Sequence, residues 1–257
     1  MNKPRLFEWE DLTWFPDVIR RGMLDFLAFF LRMGRLYDPV IPLLNRVMQE
    51  AGTDTIIDLA SGGGGPIESL WKPLKDGCPE VRILVSDRFP NQAAFSRLQF
   101  ISSGTIQGVS QSVDASAVPR ELRGIRTIFS AFHHFSPALA LKVLSDAASS
   151  RVPIVVLDGG GPRVLLALGV LIQPILFLFV TPFIRPFRWT RLFFTYIIPL
   201  IPLCTVWDGL ISIWRLYSEE DLNGLAALVP FPDYKWQVGT IPHRSGAAIT
   251  YLIGMPS

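Results

Sequence analysis

IIDLASGGGGP, residues 56–66, is a short apolar run that gives way to four consecutive glycines. Glycine lets a backbone turn tightly and meet a ligand without Cβ contacts. The predicted order is strand, glycine turn, helix. A helix N-terminus beyond such a turn can hold an anion through its free N–H groups and the helix dipole. Gly62 and Gly64 supply the G-x-G of dinucleotide-binding folds, but Ile67 stands where the third glycine belongs, which disfavours NAD. A plain glycine-rich turn would use the same residues.

Working outward, VRILVSD (81–87), TIQGVSQSVD (105–114), IRTIFSAF (125–132) and VPIVVLDGG (152–160) are further strand-like runs. Helix-compatible segments at 67–75, 92–102 and 138–150 lie between several of them. Strands alternating with helices predict an α/β fold, a mostly parallel sheet covered on both faces. Near the carboxyl end, Ser218 reads as an N-cap, with Asp221 three residues on and EEDLNGLAAL as the helix. YKWQVGTI and AAITYLIG then form two strands joined by PHRSG. Upstream, residues 7–50 read as helical with breaks at Pro16, Pro39 and Pro42, and Ile19, Met23, Phe26, Leu27, Phe30 and Leu31 form an apolar stripe. No internal repeat is present.

The residues with chemistry stand at strand ends. Asp87 closes the second strand, where carboxylates accept hydrogen bonds from vicinal ribose hydroxyls. Asp114 follows the third strand and suits an adenine amino group, and FSAFHHFSP follows the fourth. Open α/β sheets bind ligands along this edge. With these residues in order, the chain resembles the class I S-adenosylmethionine-dependent methyltransferases over residues 52–160 and 215–257. Their D/E-x-G-x-G-x-G motif is matched by Asp58 to Gly64, with Ala60 in place of the first glycine.

The resemblance implies a Rossmann-like sheet with its last strand antiparallel, and S-adenosyl-L-methionine as cofactor. Asp58, Ala60, Gly62, Gly63 and Gly64 would surround its methionine part, Asp87 its ribose, and Asp114 with Ala115 its adenine. Ser130 to His133 would run beneath it. The sulfonium already activates the methyl group, so the protein must orient the reactants and exclude water. A general base is needed only for an acceptor that keeps its proton, and His133 and His134 are the candidates. The alternative is that one of them packs against the strand end. His134 and Asp208 are candidate substrate contacts, with Arg215 as the natural partner of Asp208. Cys78 and Cys204 form no disulfide framework or metal cluster, and no metal is expected.

The chain has 257 residues, 49% hydrophobic and only 18% charged, with a formal charge of +2. That charge gives no reason to expect a nucleic-acid partner. The opening MNKPRLFEWEDLTW lacks the pattern of a signal peptide. The apolar excess sits after Arg163. Residues 164–184 carry no charge, and a second apolar stretch, 192–205, follows the basic link RPFRWTR. At ~1.5 Å per residue the first stretch is roughly as long as the ~30 Å hydrocarbon core. A single crossing would strand the closing strands on the wrong side. Two crossings would place Arg185, Arg188 and Arg191 on the far side, against the positive-inside tendency. Gln173, Pro174, Pro182, Pro199 and Pro202 are expected to break the segment into short helices lying in one leaflet, with arginines at the headgroups.

The expected divisions are therefore an N-terminal helical segment (1–51), a methyltransferase domain (52–162 with 215–257) and an apolar insertion (163–214). The expected activity is methyl transfer to an apolar or lipid-like small molecule, at a membrane and on its cytoplasmic side. A soluble natural-product O- or N-methyltransferase, with the insertion as lid or homodimer contact, is one alternative. A methyltransferase-like binding protein without catalysis is the other.

Overall fold

The computed structural model describes residues 6–185 and 187–257. The first five residues of the opening stretch and Pro186 of the basic link lie outside the described residues. Seven strands form one sheet: β1 (Thr55–Asp58), β2 (Arg82–Val85), β3 (Ile106–Gly108), β4 (Ile125–Phe129), β5 (Ile154–Gly160), β6 (Tyr234–Pro242) and β7 (Ala248–Pro256). Their order is β3-β2-β1-β4-β5-β7-β6. The first five pair in parallel, and β7 runs antiparallel to both β5 and β6. The strand order reverses between β1 and β4, which opens a crevice at their carboxyl ends.

Residue alternation in the strands decides what each face covers. Ile56, Ile83, Val85, Phe129 and Val155 face one side, against α2 (Ile41–Ala51), α3 (Gly65–Gly77) and α4 (Gln92–Ile101). Ile57, Ile128, Ile154 and Val156 face the other, against α5 (Pro137–Ser149) and α9 (Glu219–Ala227). Ser218 caps α9 in a full capping box with Asp221, as its sequence predicts. The third strand is shorter than its apolar reading, because after Gly108 the chain leaves the sheet and Val113 N–H bonds Asp87 O at 2.9 Å.

The insertion comprises α6 (Arg163–Val180), a 3-10 turn (Thr181–Phe183), α7 (Trp189–Leu192), a π-helical turn (Phe193–Ile197) and α8 (Leu200–Arg215). Two expectations fail here. Gln173 and Pro174 do not end α6; the proline removes one backbone donor, yet the helix continues through both. Nor does Arg191 reach outward. Arg188 and Arg191 both turn onto Asp25 of α1 (Asp17–Gly34), and Arg191 is buried, with a further bond to Ile184 O.

The insertion and the N-terminal helix share a third core. Phe15, Ile19, Met23 and Phe26 of the N-terminal region pack with Phe177, Ile201 and Cys204. Gly22 permits this approach, since a Cβ there would lie 2.3 Å from Ile201 Cδ1. The outer face of α6 stays bare: Leu168, Leu171, Ile172, Ile175 and Phe179 are all more than half exposed. The helical run Arg163–Phe183 is long and apolar enough to cross a membrane, and 17% of its apolar window is buried.

Candidate active site

The glycine turn joins β1 to α3. Ala60, Gly62 and Gly64 all adopt left-handed φ, of 54°, 52° and 70°. At Ala60 this costs energy that a glycine would avoid, so the one departure from the motif sits at a strained position. Gly62 and Gly63 have no heavy atom near the place a Cβ would occupy, so their backbone lies open to a ligand. Asp87, at the end of β2, holds the turn. One of its oxygens accepts from Gly62 N–H at 2.8 Å and the other from Phe89 N–H at 2.8 Å.

Asp58 stands behind the turn and not on its open side. Its oxygens accept from Thr127 Oγ1 at 2.9 Å and Ser61 Oγ at 2.6 Å. Burial pushes its carboxyl up to about 7, against the pull of those two hydroxyls. The folded protein therefore keeps a proton between about pH 4 and 7 that the unfolded chain has lost. Asp58 contributes stability that is full below about pH 4 and is lost as pH rises through 7. Asp58→Asn, the uncharged isostere of the acid, should flatten this dependence. We expect the loss of thermal stability between pH 5 and pH 8 to shrink in the variant, as read by calorimetric melting. An unchanged pH slope would show that Asp58 is ionised throughout.

Asp114 is more open. It accepts from Ser116 N–H at 2.8 Å and Ser116 Oγ at 2.7 Å, bonds that hold its carboxyl below the usual range. Ala115 is buried beside it. Ser130 ends β4 with φ 48°, and its hydroxyl bonds the buried Tyr37 OH.

A 3-10 turn, Phe132–His134, then carries the two adjacent histidines. His133 is buried and its Nδ1 lies 2.9 Å from both oxygens of Asp158, on β5. Asp158 also accepts His133 N–H at 3.0 Å. Burial alone would raise the Asp158 carboxyl, but His133 beside it holds it below the usual range. With Nδ1 turned to Asp158, Nε2 is the ring nitrogen left to meet another group.

His134 differs. Its Nδ1 meets Glu8 Oε2 at 3.0 Å and Asp11 Oδ1 at 3.4 Å, and its Nε2 lies 3.8 Å from Glu10 Oε1. Burial disfavours its charge, but close contact with Asp11 and Glu8 and the surrounding carboxylates prevail and raise it to about 10. His134, the second candidate general base, is thus held among three carboxylates. The pairing expected of Asp208 is corrected. Asp208 is buried on α8 and accepts Trp9 N–H at 2.8 Å and Glu10 N–H at 3.1 Å. Burial pushes it up to about 7 despite those bonds. Arg215 instead meets Glu8 at 3.0 Å and Asp11 at 2.8 Å.

Strand-end geometry thus gathers the glycine turn, Asp87, Asp114, Ser130 and His133 along one sheet edge. Sequence reading missed Asp158, whose place at the end of a strand was a usable signal. It also missed Glu8, Glu10, Asp11 and Tyr37, for which the sequence held none.

No known family profile and no curated protein sequence matches the chain. Solved structures do match. The citrinin polyketide synthase CMeT domain aligns at 9% identity with a TM-score of 0.54, over 90% of this chain and 56% of that one. Human N-acetylserotonin methyltransferase, in complex with SAM, aligns at 12% identity and TM-score 0.51, over 93% of this chain and 58% of that one. PigF with SAH aligns at 13% identity and TM-score 0.50, over 95% of this chain and 62% of that one. The chain thus spans little more than half the length of these neighbours. At such identities the likeness is one of architecture, and the fold is that of the class I S-adenosylmethionine-dependent methyltransferases.

Proposed function

We propose that the protein is an S-adenosylmethionine-dependent methyltransferase acting on an apolar small molecule at a membrane surface. The observation that carries the first half is the open glycine backbone at Gly62 and Gly63 with Asp87 fixed beside it. That arrangement suits an adenosyl ligand whose ribose hydroxyls share the Asp87 carboxylate with the backbone. Asp58, Ala60 and Gly64 shape the turn, Asp114 and Ala115 flank the adenine, and Ser130 lies beneath the cofactor. The bound cofactor supplies an activated methyl group. His133, steadied by Asp158, activates the acceptor, and the region of His134 and Asp208 shapes its pocket. Calorimetry with S-adenosylmethionine and S-adenosylhomocysteine tests this reading, followed by a methyl-transfer screen of lipid and polar extracts. A protein that binds neither adenosyl ligand would refute it.

The second half rests on the bare face of α6. An apolar patch of this extent needs a cover, and a lipid leaflet on the cytoplasmic side supplies one without a second protein. The competing cover is a second copy of the chain. Leu171→Asp with Ile175→Asp, both on that face, should lower binding to anionic phospholipid vesicles about tenfold or more and leave cofactor binding unchanged. Vesicle flotation reads the outcome. A wild-type protein that stays dimeric and ignores vesicles would favour the homodimer and overturn the leaflet.

A further inference from the structure

We propose that Glu8, His133 and His134 form a binding site for a divalent transition-metal ion beside the sheet edge. Each offers one ligand atom, and the three atoms lie within 4.8 Å of one another. Two imidazoles and one carboxylate form a donor set suited to Zn²⁺ and to ions of similar preference. Metal–ligand bonds of about 2.1 Å draw tetrahedral ligands to roughly 3.4 Å apart. His134 Nδ1 and Glu8 Oε2 already stand 3.0 Å apart, and the His133 ligand atom lies within 4.8 Å of its two partners.

Three further features point to a cation. Glu8 is fully buried, and its Oε2 makes no hydrogen bond of good geometry, although His134 and Arg215 both lie 3.0 Å away. His133 Nδ1 is bound by Asp158, and a carboxylate behind the ring is the usual outer support of a metal-bound histidine. It leaves Nε2 as the ligand atom. The formal charge is also unbalanced. Glu8, Glu10 and Asp11 crowd one histidine, with the guanidinium of Arg215 beside them. Buried charges are normally paired or coordinated to metal. On uptake Arg215 would keep Asp11 and Leu6 O as it gives up Glu8.

The role of the ion, though not its binding, rests on the methyltransferase reading. An acceptor hydroxyl at an open coordination position becomes more acidic. Its proton leaves to water, the oxyanion takes the methyl from the sulfonium, and the cofactor departs as the neutral thioether.

The test is calorimetric titration of the full chain, stripped by chelation, with Zn²⁺ alone. We expect one ion per chain. Glu8→Gln and His133→Asn should weaken uptake at least tenfold, and Asp158→Asn by about 10–100-fold. His243→Asn, in the exposed closing turn, should leave it unchanged. Absence of saturable uptake, or uptake indifferent to Glu8→Gln, overturns the site. Circular dichroism checks each fold, and Asp158→Asn decides if Glu8→Gln unfolds. S-adenosylhomocysteine titrated into the same samples separates the two readings. Its binding without Zn²⁺ uptake removes the metal and spares methyl transfer. Zn²⁺ uptake without its binding keeps the metal site and removes methyl transfer.

Discussion

His133→Ala should lower turnover by about 10²–10⁴-fold while changing affinity for S-adenosylhomocysteine by no more than about threefold. The ring is buried, and Asp158 fixes its orientation through both a side-chain and a backbone bond. Alanine removes the imidazole and leaves the Asp158 carboxylate facing a gap. Acceptor deprotonation suffers to this extent whether Nε2 takes the proton or holds the ion that acidifies it. The glycine turn and Asp87 are untouched, so cofactor affinity should persist. Single-turnover methyl transfer and calorimetry together check the outcome. Full turnover in His133→Ala would mean that the acceptor needs no help in losing a proton. Equal loss of turnover and cofactor affinity would mean that the substitution had disturbed the sheet edge as a whole.

Asp87→Ala should weaken S-adenosylmethionine and S-adenosylhomocysteine alike by about 10–100-fold, the equivalent of one or two charge-assisted hydrogen bonds. Two losses coincide. The ribose hydroxyls lose their acceptor, and Gly62 N–H and Phe89 N–H lose theirs, so the turn is no longer held against β2. Asp114→Ala should cost much less. Its carboxylate is more open to solvent, and it is engaged with Ser116. Calorimetric titration gives both values. An Asp114→Ala effect larger than that of Asp87→Ala would reverse the assignment of ribose and adenine.

Local pattern was enough to read the sheet. TIIDLA, VRILVSD and the closing pair AAITYLIG and YKWQVGTI carry β-branched runs bounded by turns, and each became a strand. The capping box at Ser218 was legible for the same reason, since all its atoms lie within four residues. Asp87 could be read as a strand-end carboxylate, but its hold on Gly62 could not. The surroundings of His134 were beyond reach. Glu8 and Asp11 lie far upstream, and no spacing rule links them to FHH. The same distance hid the backbone donors that Asp208 accepts and the Asp25 partner of Arg188 and Arg191. Pro174 misled because an isolated proline usually ends a helix, whereas here α6 runs on through it.

The core between α1 and the insertion also sets a schedule for the growing chain. Phe15, Ile19, Met23 and Phe26 emerge from the ribosome early, but Phe177, Ile201 and Cys204 follow only after all five parallel strands. At about 5–20 residues per second, the apolar stripe of α1 waits many seconds for its mates. The parallel strands can assemble in that interval; the helical layer cannot. A nascent chain therefore carries a sticky, unpartnered helix until the insertion has emerged. That helix is available to a chaperone or a nearby bilayer before the rest of the molecule can compete for it.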